Sequence, residues 1–114
     1  MANTFKSDTK SSLVTAVITD ASATVITTPS NASVIVLGLL ASNKLGTSSN
    51  VDIYLNKNSG DDTYIVKNGP VPAGSTLEII NGNKIVLEAS DKIQARSDTA
   101  NAIDLTISYL EQTS

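Results

Sequence analysis

The chain contains no cysteine, no histidine and no tryptophan, and its aromatic residues are one phenylalanine and three tyrosines. Without cysteine there are no disulfides and no thiolate metal sites, so stability must come from packing, from hydrogen-bonded ladders or from a partner, and the redox compartment is left open. Without histidine the usual base for activating a serine is missing, and no Gly-x-Ser-x-Gly elbow occurs among the many serines. Enzymatic catalysis is therefore not expected. Glycine-rich phosphate loops and dinucleotide fingerprints are also absent, so no cofactor is expected. Basic charge is sparse: Lys6, Lys10, Lys44, Lys57, Lys67, Lys84, Lys92 and Arg96 are scattered singly against 11 acidic residues, for a net charge of −3. Nucleic-acid binding needs a concentrated basic face to displace counterions, and none is visible. No apolar run approaches the ~20 residues that cross a bilayer, and residues 1–12 lack the apolar centre of a signal peptide. The expectation is a soluble product made in a cytoplasm, with no membrane partner.

What the chain does have is aliphatic and β-branched. Valine and isoleucine are abundant, and Ser, Thr and Asn make up about a third of the residues, a composition that suits half-exposed strands and turns better than helix interiors. At 114 residues the length fits one core. Surface scaling for 11.8 kDa gives about 5,900 Å² folded against about 17,000 Å² extended, so roughly 65% would be buried.

Along the chain, short apolar runs alternate with turn residues. Residues 1–12 are polar around the single Phe5 and read either as a frayed terminus or as an extended arm lying on a neighbouring subunit, with Phe5 as its anchor and Lys6 and Lys10 beside it. Strands are expected at 13–19 and 23–28, then at 34–40 as the central strand, where Gly38 marks a bulge or a close backbone approach. Residues 51–57 alternate cleanly and 58–62 form a hairpin turn into 63–67, placing Tyr54 and Tyr64 on facing strands. These tyrosines either pack across the strands or offer an exposed platform to a sugar or protein partner. Residues 68–74, with two prolines, are expected to be a connection. Asn81-Gly82-Asn83 gives the strongest hairpin signal, joining strands at 77–80 and 84–88, because Asn-Gly tolerates the positive φ of a type I′ turn. Strands at 92–97 and 103–110 complete the series. Asp61-Asp62 supplies too few oxygens for Ca²⁺ and reads as a solvated turn. Asn31-Ala32-Ser33 matches a glycosylation sequon but reads as a turn after Pro29.

From Ser33 to Glu111 the chain resembles a group of small virion proteins of tailed bacteriophages, often from marine hosts. The resemblance is carried by Val34-Ile35-Val36-Leu37-Gly38-Leu39-Leu40-Ala41-Ser42-Asn43, by Asp52-Ile53-Tyr54-Leu55, by the run from Thr63 through Val71-Pro72-Ala73-Gly74 to Leu77-Glu78, by Lys84-Ile85-Val86-Leu87-Glu88-Ala89-Ser90-Asp91-Lys92-Ile93 and by Ser108-Tyr109-Leu110-Glu111. It covers about two-thirds of the chain. It implies a non-enzymatic virion component with no catalytic residues to carry over, a capsid decoration or cement protein that binds and stabilises the assembled head. The alternative is a tail, fibre or other surface module binding host glycans. Residues 1–12 depart from the pattern, so their attachment role rests on composition alone.

The expected fold is all-β: a single antiparallel two-sheet sandwich, jelly-roll or Ig-like, of about eight strands over residues 13–114, preceded by a polar arm at 1–12. The candidate partner-binding residues are Phe5, Lys6, Lys10, Tyr54 and Tyr64; no catalytic, cofactor or metal residues are expected. The expected partners are the major capsid protein or other virion proteins. A homo-oligomer is expected as well, for which a trimer suits threefold lattice sites.

Overall fold

The ends of this chain run side by side: Phe5 pairs with Leu110, Thr27 with Lys92, Val34 with Leu87, Ser42 with Thr76 and Leu55 with Thr63. Each pair is nearly symmetric about residue 59, so these strands pair as the arms of one long antiparallel hairpin, folded over on itself. The computed structural model describes residues 2–80 and 83–113. Among these residues are strands β1 (Ala2–Lys10), β2 (Thr24–Thr27), β3 (Ala32–Asn43), β4 (Ser49–Asn56), β5 (Thr63–Val71), β6 (Thr76–Ile80), β7 (Ile85–Leu87), β8 (Lys92–Ser97) and β9 (Ile103–Thr113), with a 3₁₀ turn at Ala21–Ala23.

Wrapping the hairpin adds a second set of pairings, β9 against β3 and β8 against β4, and closes two sheets. One runs β1-β9-β3, with β6 and β7 sharing the far edge of β3; the other runs β2-β8-β4-β5. All pairings are antiparallel. With β6 and β7 as one edge there are eight strand positions, and this order is the jelly-roll form of the sandwich.

Alternation along the strands builds the core. Val34, Val36, Leu39 and Ala41 of β3 and Ile103, Leu105, Ile107 and Tyr109 of β9 meet Val51 and Ile53 of β4 and Ile93 and Ala95 of β8, all buried. Removing each larger aliphatic side chain from water contributes about 1.5–3 kcal/mol. The folded surface, 5808 Å², matches the size expectation.

Four expectations are corrected. Residues 13–19 form no strand. They cross from one sheet to the other, held by Leu13 N–H to the Ile103 carbonyl, Ser97 N–H to the Val14 carbonyl, and the Arg96 side chain on Thr15 and Ala16. Residues 68–71 are not a connection, because β5 continues through Pro70. An edge strand has one side free of the ladder, so a missing N–H is tolerated there. Two register shifts in β5 absorb extra residues, with Asn68 at φ 53° and Gly69 so close to the Val66 methyl that a Cβ has no room.

The third correction concerns the Asn-Gly hairpin. Its turn residues 81–82 lie outside the described residues, but among the described residues the flanking strands do not pair with each other. β6 and β7 both run antiparallel to β3, end to end. Last, the segment expected as a frayed terminus or as an arm on a neighbouring subunit is β1, laid along β9 of its own chain in a nine-residue register from Ala2 opposite Thr113 to Lys10 opposite Leu105. The expected Gly38 bulge is present, as a register shift against β9 between Val36 and Gly38.

Candidate functional site

The five sequence-designated residues fall on two surfaces. Phe5, Lys6 and Lys10 are on β1 at the edge of the first sheet, whereas Tyr54 and Tyr64 are on the outer face of the second. On β1 the two lysines are already engaged: Lys6 Nζ lies 3.0 Å from a Glu111 oxygen, and Lys10 Nζ donates to the Thr24 carbonyl at 3.2 Å. Between them Asp8 accepts from the Tyr109 hydroxyl at 2.9 Å. Burial first, and then Asp8, push the Tyr109 hydroxyl up to about 12. These charges are directed to the core side of an edge strand, an arrangement that discourages uncontrolled edge pairing.

Phe5 alternates to the opposite side and is 76% exposed. It stands across from Leu110, Leu110 from Ile35, and Ile35 from Val86, which is 56% exposed. Residues directly opposite in a ladder share a face, so the four form an apolar row across β1, β9, β3 and β7, about 14 Å long at ordinary strand spacing. Exposed Leu37 in the β3 bulge and exposed Leu40 lie further along β3. Of this row only Phe5 was designated from sequence. The signal for Ile35, and for Leu37 and Leu40 beyond it, was the run from Ile35 to Leu40, apolar on both faces of the strand, whereas a strand with one face in water needs apolar side chains on one face only.

On the second sheet Tyr54 is directly opposite Tyr64, with ring centroids 4.9 Å apart at an interplanar angle of 69°. The Tyr54 hydroxyl donates to Asp62 at 3.3 Å, and burial together with that carboxylate pushes the phenol up. Lys67 Nζ sits 4.6 Å from the Tyr64 ring centre, within cation–π range. Next to Tyr64 and Lys67 is a cleft of ≈ 280 Å³ lined also by Thr15, Val17, Asp52 and Arg96. Arg96 donates to Asp52 at 2.9 Å, to the Ala16 carbonyl at 2.8 Å and to the Thr15 carbonyl at 3.2 Å. Asp52 is buried and also accepts from Asn68 N–H at 2.7 Å. Two other clefts, each ≈ 370 Å³, are larger, but one is lined by Glu88 as its only charged residue and the other by none.

The sequence paired Tyr54 with Tyr64 correctly but missed Arg96, Asp52 and Lys67, which come together only when β8, β4 and β5 are laid side by side. Compared with known proteins, the chain matches no family model, no curated protein and no solved structure.

Proposed function

We propose that the chain is a non-enzymatic structural protein of a bacteriophage virion, a decoration or cement protein that docks on the assembled head and stabilises it. The observation that carries this reading is the apolar row Phe5, Leu110, Ile35 and Val86 on an outer sheet face. An exposed apolar patch continuous over four strands marks a surface that a partner covers, and a docked face of this kind needs no reactive group. The resemblance over residues 33–111 supports a virion origin, and the jelly-roll strand order supports it as fold-level analogy, since that architecture recurs in capsid proteins. Binding only the assembled lattice would stabilise the head by linkage, because the ligand then favours the closed state. The partner is the major capsid protein or another virion protein, and the chain docks as a homo-oligomer.

The test is to incubate purified protein with matching heads, separate bound from free by sedimentation, and locate the chain in an image reconstruction of the particle. The expected result is saturable occupancy at symmetric sites with the β1-β9-β3-β7 face against the shell. Virions lacking the protein by mass spectrometry, together with heads that do not bind it, would overturn the proposal.

A further inference from the structure

We propose that the cleft between residues 15–17 and Tyr64 is a binding site for a carboxylate-bearing saccharide, a role independent of head docking and on the opposite side of the sandwich. Its electrostatics run against those of the chain. The protein is net acidic, yet two of the three charged groups lining this cleft are cationic. The single carboxylate, Asp52, is buried and committed to Asn68 N–H and Arg96.

The cations keep capacity to spare. A guanidinium carries five N–H donors; Arg96 directs three of them at Asp52, Ala16 and Thr15, which leaves two unspent among the described residues. Lys67 has no carboxylate partner among the described residues and rests against the Tyr64 ring. A planar guanidinium and a nearby ammonium suit a carboxylate.

Besides Thr15, the rest of the lining is Val17, Ile18 and Tyr64. Val17, 71% exposed, forms one lip and Tyr64, 42% exposed, the other. Such a pairing of charge donors with an aliphatic lip and an aromatic wall matches a pyranose ring, which presents C–H faces along with its polar groups. At ≈ 280 Å³ the cleft is sized for one or two sugar units rather than for a strand or helix. It is also preorganised. The loop wall is pinned to β8 by the Arg96 bonds to Thr15 and Ala16, and Asp52 fixes Arg96 in turn, so little ordering cost is left for binding.

The experiment is a glycan array carrying hexuronates and nine-carbon acidic sugars beside their neutral or esterified counterparts. It is followed by solution titration of the bound features against wild type, Lys67→Glu and Tyr64→Ala. Both positions are on the surface of β5, and thermal melts confirm that the variants fold. Carboxylated features should bind and their neutral counterparts should not, and each substitution should weaken binding by about tenfold or more. Silence on carboxylated sugars would overturn the assignment, as would equal binding of the neutral counterparts or binding unchanged by Lys67→Glu. Poly-glutamate or inorganic phosphate competing as well as the sugars would reassign the cleft to anions in general and overturn the saccharide. Head binding by the same variants is read in parallel, so failure of this site and failure of docking are distinguishable.

Discussion

Asp91 ties the tip of the long hairpin to the loop beside it. Its buried carboxylate accepts from Lys57 Nζ at 2.7 Å, Asn58 N–H at 2.8 Å and Glu88 N–H at 2.9 Å, while its backbone carbonyl takes Thr28 N–H. Burial raises its pKa, but the Lys57 ammonium and the two backbone donors outweigh that and hold the carboxyl below its ordinary value. Because the folded value is depressed, this stabilisation is complete well above the unfolded value of about 3.9 and is lost as pH falls through the folded value beneath it. Asp91→Ala should cost about 3 kcal/mol, since it strands two backbone donors and leaves the Lys57 ammonium to the exposed Glu88 carboxylate, 3.2 Å away. Asp91→Asn should flatten the acid limb of urea midpoint against pH, and an unchanged limb would assign acid sensitivity elsewhere. Tyr109 works in the opposite sense. Its raised value means that burial and the Asp8 bond favour the neutral phenol; that contribution is whole below about pH 10 and is lost as pH rises through about 12. In a Tyr54→Phe, Tyr64→Phe background, ultraviolet titration of the remaining tyrosine should have its midpoint near 12; a midpoint near 10 would mean that the hydroxyl is neither buried nor held by Asp8.

The strands were legible where a single period governed them. β9 alternates from Ile103 to Tyr109, and the aliphatic residues of β4 and β8 turn inward as expected although Asp52 and Gln94 between them are buried as well; the Asn58–Asp62 turn joins β4 to β5 as its residues suggest, with Asp62 accepting Lys57 N–H at 2.8 Å. Misread elements were those whose conformation is set from outside. Asn-Gly at 81–82 is a strong local hairpin signal, but among the described residues the strands on either side of it pair with the 12-residue β3, β6 at residues 39–42 and β7 at residues 34–36, and not with each other. β1 reads as an arm because its residues bury almost nothing, and only the register with β9 makes it a strand. Residues 13–19 have strand composition but serve as the crossing between sheets. The long-hairpin arrangement also orders folding. Contacts at the tip close the shortest loops, whereas β1 with β9 closes nearly the whole chain, and longer closures cost more entropy before contacts reward them. Asp62→Ala and Tyr109→Phe should each destabilise by about 1 kcal/mol. In stopped-flow chevrons Asp62→Ala should mainly slow folding, with φ of about 0.5 or more, and Tyr109→Phe should mainly speed unfolding, with φ near 0. The reverse assignment would mean that the sandwich nucleates at its termini.

As a whole the molecule is a slab of 45 × 24 × 20 Å whose two outer faces differ in chemistry. The face of β1, β9, β3 and β7 carries the apolar row, and the face of β4, β5 and β8 carries the tyrosine pair and the cationic cleft. The packed sheets are about 10 Å apart, and a rigid body that docks through one face leaves the other open to the medium. The two proposed functions should therefore separate by mutation. Phe5→Glu and Val86→Glu place charges on side chains that are 76% and 56% exposed, so the fold should tolerate them and the melting temperature should hold within a few degrees. Docking should not survive, because each charge would be desolvated without a partner at the covered face. Docking by the wild type should persist in 1 M salt, where the screening length falls to about 3 Å, because burial of apolar surface does not depend on long-range charge. The Lys67→Glu variant should sediment with heads as the wild type does. If head association instead fell steeply with salt and with Lys67→Glu, while Phe5→Glu left it intact, the docking face would be the cleft side, and the orientation proposed for the protein on the particle would be inverted.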